Sequence, residues 1–417
     1  MTYRRHTAGL KLLRPQAMHC AQKVLFSCLS CGHEKLDEQP TDSLRAIQRI
    51  QYVFCTLPKK SLQINQFNER EHMIDKDVEE IKERVERDNA VKVSVALFGQ
   101  PGAGKSSLIN AIAGKEIAKI GLETDTTIKE TTFEINGLDF VDLPGYGTEK
   151  FPKEGYFEKF NLAKIDIFLC VTSGKLHADD VGLFKELRSH GKTCIFVFNK
   201  TDELWEGETP LEQLKQRKIA DISKNVGFEV QVFFTSCRHK SGLVDLQNEI
   251  ANHLDQAKKE RFFKSAMAYS NDFLDKKFKA CKKVVLNYSA LSAANAINPV
   301  PGVDVAVDIG IIYKLFQEIR TCYGLDSVKD ETLLEKVKVA LPAANRVIAY
   351  AAKEGILVLL KSVAGKMVFK TAAKYVPFVG QAIAAMTGFG IIKLAGDSYL
   401  EDCHEVAKEF FSKNISS

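Results

Sequence analysis

The chain has 417 residues, 45% of them hydrophobic and 27% charged. That length exceeds one ordinary domain, and the composition excludes a disordered or collagen-like chain. A net charge of +5 is too mild to argue by itself for nucleic acid, and the ten cysteines are scattered rather than framed (Cys170, Cys194 and Cys281 fall in predicted strands or helices), which suits reduced thiols.

Residues 1–40 read as a disordered basic leader. Arg4, Arg5, Lys11, Arg14 and Lys23 precede the first acid, Glu34. Three readings stand for it: a mitochondrial transit segment, a plain basic leader, or an early start codon. Cys28-x-x-Cys31 with Cys20 and His33 is half of a zinc set. Cysteines beside basic residues are also acylation candidates. Residues 41–90 read as an N-terminal helical segment, interrupted at Pro58 and ending in a charged helix from Asp77 to Asp88.

At Val91 the pattern changes to strand–helix alternation. The apolar run Val91 to Phe98 predicts a buried strand, and Ser106 to Ala113 the helix after it. Between them lies Gly99-Gln100-Pro101-Gly102-Ala103-Gly104-Lys105-Ser106, the G-x-x-x-x-G-K-[ST] spacing in its strand–loop–helix setting. Glycines there let successive backbone N–H groups face one point, and the helix start adds its positive end. Gly99, Gln100, Gly102, Ala103, Gly104, Lys105, Ser106 and Ser107 are thus candidate phosphate-binding residues. Lys105 is the mobile charge for β- and γ-phosphates, and the Ser106 hydroxyl is a Mg²⁺ ligand.

Thr131 to Ile135 and Leu138 to Asp142 flank Asn136-Gly137, a two-residue hairpin signal, so the second and third strands are expected antiparallel. Asp142-Leu-Pro-Gly145 ends the third strand. Asp142 is placed to hold a metal-bound water, and the Gly145 N–H to meet a γ-phosphate. Later strands are expected at Ile165 to Thr172, Thr193 to Phe198 and Val230 to Phe234, with helices at Asp179 to Ser189, Pro210 to Val226 and Leu243 to Leu254. Asn199-Lys200-Thr201-Asp202 follows the fifth strand. A carboxylate at Asp202 accepts from guanine N1–H and its 2-amino group, a donor pair adenine lacks. Asn199 can tie this loop to the phosphate loop, and the Lys200 stem can lie along the base. Thr235-Ser236-Cys237 follows the sixth strand, where a backbone N–H can reach guanine O6. Each motif follows its own strand, with room for one crossover helix between strands. Here the chain resembles the Ras-type superfamily of GTPases over about residues 91–255.

After Lys258 the pattern is helical to about Ser412. It contains an echo: Pro301-Gly302 before an apolar helix, and Pro377-Phe-Val-Gly380 followed by Gly388. Such breaks suit helix starts or tight hairpins. Tyr375 to Ile392 carries no charge, but its glycines and Pro377 dilute it, so a buried helical hairpin is expected rather than a membrane span. From Arg346 to Lys374 six basic residues face one acid, Glu354. This segment is either a basic amphipathic helix in a headgroup layer or a core helix with a solvated basic face.

The turn Asp142-Leu-Pro-Gly-Tyr-Gly-Thr148 together with Asn298-Pro-Val-Pro-Gly-Val-Asp-Val-Ala-Val-Asp308 resembles the immunity-related GTPases, the interferon-inducible p47 class, over about residues 41–400. The resemblance implies a Ras-like α/β domain with a mostly parallel six-stranded sheet (91–256) and an all-α domain from both chain ends (41–90 with 257–417). It implies GTP and GDP as substrate and product, Mg²⁺ held by Ser106, Asp142 and a switch threonine, and self-assembly through the GTPase domains. It further implies cytoplasmic, peripheral action on intracellular membranes in cell-autonomous defence. The tail shows no basic/aromatic interleaving or RNA-module motif, so no nucleic-acid partner is expected. Thr126 and Thr127 are the switch candidates, and Thr127 is preferred. Lys105, Ser106, Thr127 and Gly145 would carry hydrolysis. Tyr146 stands where Ras-like proteins often place a water-orienting glutamine, so a slow monomer is expected, near or below roughly 10⁻³ s⁻¹. The competing expectations are an RNA- or ribosome-assembly GTPase of the bacterial kind, a membrane-associated GTPase of another pathway, and a nucleotide-binding scaffold with little turnover.

Overall fold

The computed structural model describes residues 76, 79–118, 131–205, 207–297, 304–325, 342–352, 354–356, 358–359 and 377–415. The basic leader, most of residues 41–78, Thr126 and Thr127, the Asn298–Val303 stretch and the basic run 360–374 lie outside the described residues.

Six strands form one sheet in the order β2-β3-β1-β4-β5-β6. They are β1 (Val93–Phe98), β2 (Thr131–Ile135), β3 (Leu138–Asp142), β4 (Ile167–Thr172), β5 (Thr193–Phe198) and β6 (Val232–Phe234). Only β2 runs against its neighbour, and every other pair is parallel. The reversal is made by Asn136 and Gly137, at φ 51° and 81°. Both central residues of a type I′ turn need positive φ, and asparagine and glycine tolerate it best.

Helices in chain order are α1 (79–90), α2 (Lys105–Ala113), α3 (Tyr156–Lys159), α4 (Ala178–Ser189), α5 (Leu211–Val226), α6 (Leu243–Asn252), α7 (Gln256–Ser265), α8 (Asn271–Ile297), α9 (Asp304–Cys322), α10 (Pro342–Ala349) and α11 (Pro377–Ile415). The central strands β1, β4 and β5 read as near-continuous apolar runs because both faces of the sheet are covered there, whereas the edge strand β2 is mostly exposed. Alternate residues separate cleanly. Val95, Leu97, Leu169 and Val197 join one core with Leu108 and Ile112 of α2 and Leu246 and Ile250 of α6. Phe98, Phe168, Phe196 and Phe198 join the other with Leu183, Phe184 and Leu187 of α4. Each buried phenylalanine contributes roughly 2 kcal/mol of transfer free energy. The chain-order crossovers bring four loops to the carboxyl edge of the sheet, where the register sets Leu97 beside Asp142, Thr172 beside Phe198, and Phe198 beside Phe234.

The chain divides into two compact units. One holds the sheet and comprises Asp88–Lys282, Glu318–Asn345 and Leu400–Ser417. The other comprises Met1–Arg87, Lys283–Gln317 and Arg346–Tyr399, and its described residues are mostly helical. In that second unit Phe316 stacks on Tyr399 at 3.9 Å, and Tyr399 donates to the Val347 carbonyl at 3.2 Å. Gly396 lets α11 approach closely, since a Cβ there would lie 2.7 Å from Val285 Cγ1.

One expectation is corrected. The helical hairpin expected over Tyr375 to Ile392 is absent from the described part, residues 377–392, because α11 runs unbroken from Pro377 to Ile415. Pro377 sits at the helix start, where its missing N–H is not needed, so this break is a helix start. Among the described residues no helix is long and apolar enough to cross a membrane.

Candidate functional site

The loop from Gly99 to Gly104 is built on backbone that only glycine accepts. Gly99 has φ +135°, and a Cβ there would lie 2.0 Å from the Val171 carbonyl oxygen. Gly104, at φ +91°, leads into α2, and a Cβ there would lie 2.3 Å from Asn199 Nδ2. Lys105, the first residue of α2, folds its ammonium back to donate to Gly99 O at 2.9 Å and Gln100 O at 3.4 Å. The ammonium also stands 3.9 Å from Asp142 Oδ1. It thus already occupies the mouth of the loop, on soft contacts it can exchange for a stronger anion. Ser106 and Ser107 are half-buried in the first turn of α2.

Asp142 ends β3 beside this loop. Burial pushes its carboxyl above the usual range, and the Lys105 ammonium pulls it part of the way back. Its Oδ1 is buried and accepts no hydrogen bond. Gly145, three residues on, is exposed, while Pro144 before it is buried.

The base-reading loops meet the phosphate loop through one amide. Asn199 is 1% exposed. Its Nδ2 donates to Ala103 O at 3.1 Å, and its Oδ1 accepts from Thr235 Oγ1 at 3.1 Å and from Cys237 Sγ at 3.5 Å. Burial pushes the Cys237 thiol up to about 11, so it stays a donor. Thr201 N–H donates to Thr235 O at 3.1 Å, joining the two loops. Lys200 adopts φ 59°, which turns the chain and puts its side chain near Gly104. Asp202 accepts from the Ser236 hydroxyl and faces the Arg238 guanidinium at 3.5 Å. The Ser236 hydrogen bond holds the Asp202 carboxyl below its ordinary value. The residues singled out in the sequence therefore converge at one sheet edge, Thr127 excepted, which is outside the described residues.

Sequence reasoning missed the part that α4 plays. Gln100 Nε2 donates to Asp180 Oδ2 at 3.0 Å, tying the phosphate loop to the first turn of α4. Tyr146 does not face the loop. Its ring is buried and its hydroxyl donates to Glu186 Oε2 on the same helix. Burial and then Glu186 push the phenol well up, so it remains a donor. Arg238 was also missed as the partner of Asp202. The signal available for α4 was Gly182, a glycine inside a predicted helix.

A family model described as interferon-inducible GTPase (IIGP) matches residues 59–354. Interferon-gamma-inducible GTPase 10 of Mus musculus is 24% identical over 346 residues, which is 78% of this chain and 82% of that protein. The probable GTP-binding protein EngB of Clostridium acetobutylicum is 28% identical over 176 residues, which is 39% of this chain and 86% of that protein. Among solved structures, a probable GTP-binding protein engB aligns at 20% identity and TM-score 0.30 over 39% of this chain and 98% of that one. The family match takes in most of the chain, and the relative from Mus musculus covers most of both chains; the chain is a GTP-binding GTPase and belongs to the interferon-inducible GTPase family.

Proposed function

We propose that GTP is bound and hydrolysed at the carboxyl edge of the sheet, by a G domain spanning 91–256 between helical segments 41–90 and 257–417. The observation that carries this reading is Asn199, whose single side chain fastens the loop of Lys105 to the loops of Asp202 and Thr235. The residues Gly99 to Ser107 cradle the phosphates, with Lys105 leaving the loop carbonyls for the β- and γ-phosphates. Asp202 reads the guanine edge, the Lys200 stem covers the base, and the Cys237 region meets O6. The orphaned Asp142 Oδ1 fits a cation bound nearby, since a buried acceptor without a donor is otherwise costly. Ser106, Asp142 and Thr127 would hold Mg²⁺ together with the phosphates. When bound, Mg²⁺ supplies charge neutralisation on the phosphate oxygens.

Turnover by the isolated chain is slow in this reading, because Tyr146 is occupied with Glu186 and offers no amide to a water. A second copy joined through the G domain completes the site. The protein acts peripherally on intracellular membranes in cell-autonomous defence, as the family resemblance implies. Calorimetry on the full chain tests the nucleotide reading: GDP and a GTP analogue bind and ATP does not, and equal capture of ATP overturns it. Single-turnover rates across protein concentration test assembly, and a fast rate independent of concentration rejects it. Co-sedimentation with phosphatidylserine vesicles, with and without a non-hydrolysable GTP analogue, tests membrane action, and no pelleting in either state rejects it.

A further inference from the structure

Gly145 is exposed, yet the peptide that carries its N–H is held. The Pro144 carbonyl, on that same peptide, accepts a hydrogen bond of 2.5 Å from the Tyr156 hydroxyl. The Gly145 carbonyl accepts another of 3.0 Å from Thr148 Oγ1. In a planar trans peptide the C=O and N–H point in opposite directions. The hydroxyl that fixes Pro144 O therefore also fixes the direction of the Gly145 N–H. Among the described residues no acceptor takes that N–H.

Tyr156 is braced in turn. Its ring is fully buried and meets Tyr146 edge-on at 5.1 Å and 84°. Tyr146 is tied to Glu186, and Gly182 one turn earlier makes room for it, since a Cβ there would lie 3.3 Å from Tyr146 Cε1. Lys153 pairs with Asp179 at 3.3 Å on the same side of α4. Asp179, Gly182 and Glu186 recur at i, i+3 and i+7, one face of a helix. The segment after Gly145 is thus zipped along α4.

We propose that Tyr156 is a positioning residue: its hydroxyl holds the Pro144–Gly145 peptide in the orientation in which the Gly145 N–H meets the γ-phosphate, and Tyr146 and Glu186 hold Tyr156 in place. This rests on the reading of Gly145 as a γ-phosphate donor. GDP has no γ-phosphate, so the hydroxyl matters for GTP alone.

Tyr156→Phe deletes one oxygen and keeps the packing. Calorimetry of the full chain with Mg²⁺ should show affinity for a non-hydrolysable GTP analogue falling about tenfold while GDP affinity stays within about twofold. Tyr146→Phe, which cuts the tie to Glu186, should shift the same ratio about threefold in the same direction. Glu186→Gln keeps an acceptor for the phenol and should retain the wild-type ratio. A thermal melt checks folding, and if Tyr156→Phe lacks a transition, the Tyr146→Phe ratio decides. Equal losses for both nucleotides, no loss, or a gain for the GTP analogue overturns the proposal. Wild-type protein that binds neither nucleotide overturns the site reading as well, whereas wild-type binding with an unaltered variant overturns the positioning role alone.

Discussion

Replacing Asn199 by alanine asks whether one buried amide joins the two halves of the site. The side chain donates to Ala103 O and accepts from the Thr235 hydroxyl, both at 3.1 Å. Asn199→Ala strands that carbonyl and that hydroxyl, and Thr235 is fully buried. A buried polar group left without its partner costs about 1–3 kcal/mol. Two such groups predict a loss of roughly 2–6 kcal/mol, read as a lower guanidinium midpoint at unchanged slope. Affinity for GDP and for a GTP analogue should fall together, because the amide serves the loops and not the γ-phosphate. A loss below about 0.5 kcal/mol with nucleotide affinity intact refutes the reasoning. The same contact makes a coupling measurable. Gly104→Ala adds left-handed strain of about 1–2 kcal/mol and drives a methyl against Asn199 Nδ2, only 2.3 Å away. With Asn199→Ala already present, the strain stays and the collision goes. The double variant should therefore be less destabilised than the sum of the two by about 1 kcal/mol or more, and additivity within about 0.5 kcal/mol would show that the two residues do not meet.

Asp142→Asn should raise the thermal midpoint of nucleotide-free protein at pH 7 in chelator while abolishing turnover. Its folded carboxyl is held above the unfolded value by burial, so its contribution to stability is present when protonated and is lost as pH rises through the folded value. The gain should shrink as pH falls into the carboxylate range, and equal midpoints at pH 7 by scanning calorimetry count against it. Gly99→Ala should cost about 3 kcal/mol or more, because left-handed strain adds to a Cβ 2.0 Å from Val171 O. Gly102→Ala, with φ +80° but open space, should cost only the strain of about 1–2 kcal/mol, and similar denaturation midpoints for the two variants would deny the close approach. Trp205 is the sole tryptophan and is 80% exposed three residues after Asp202. Its emission should change when GDP binds, and an unchanged spectrum at saturation speaks against base contact by that loop.

What was legible in the sequence shares one property: its cause lies within a few residues along the chain. The Asn136-Gly137 turn fixes its own backbone, and the phosphate loop announces itself through glycines whose positive φ is a local demand. The central strands are legible because β1, β4 and β5 must each satisfy two apolar faces alone. The hairpin expected within Tyr375 to Ile392 fails for the complementary reason. Proline permits either a turn or a helix start, and the packing partners of α11 decide between them; Gly396 against Val285 and Leu315 is such a partnership, made across more than 80 residues.

The α4 stripe extends the point to function. Glu186 lies 40 residues from Tyr146, so no spacing rule joins them. Gly182 nevertheless left a trace, since a glycine inside a helix costs about 1 kcal/mol against alanine and calls for a compensating reason. Here the reason is the Tyr146 ring, which needs the room that a Cβ would take. If so, Gly182→Ala trades a gain in helix propensity for a displaced tyrosine: its net effect on stability should be small, of about 1 kcal/mol or less, while the GTP-analogue-to-GDP affinity ratio moves the way it does in Tyr146→Phe. A variant that gains the full propensity term and keeps that ratio would mean that the glycine has no part in holding the segment after Gly145.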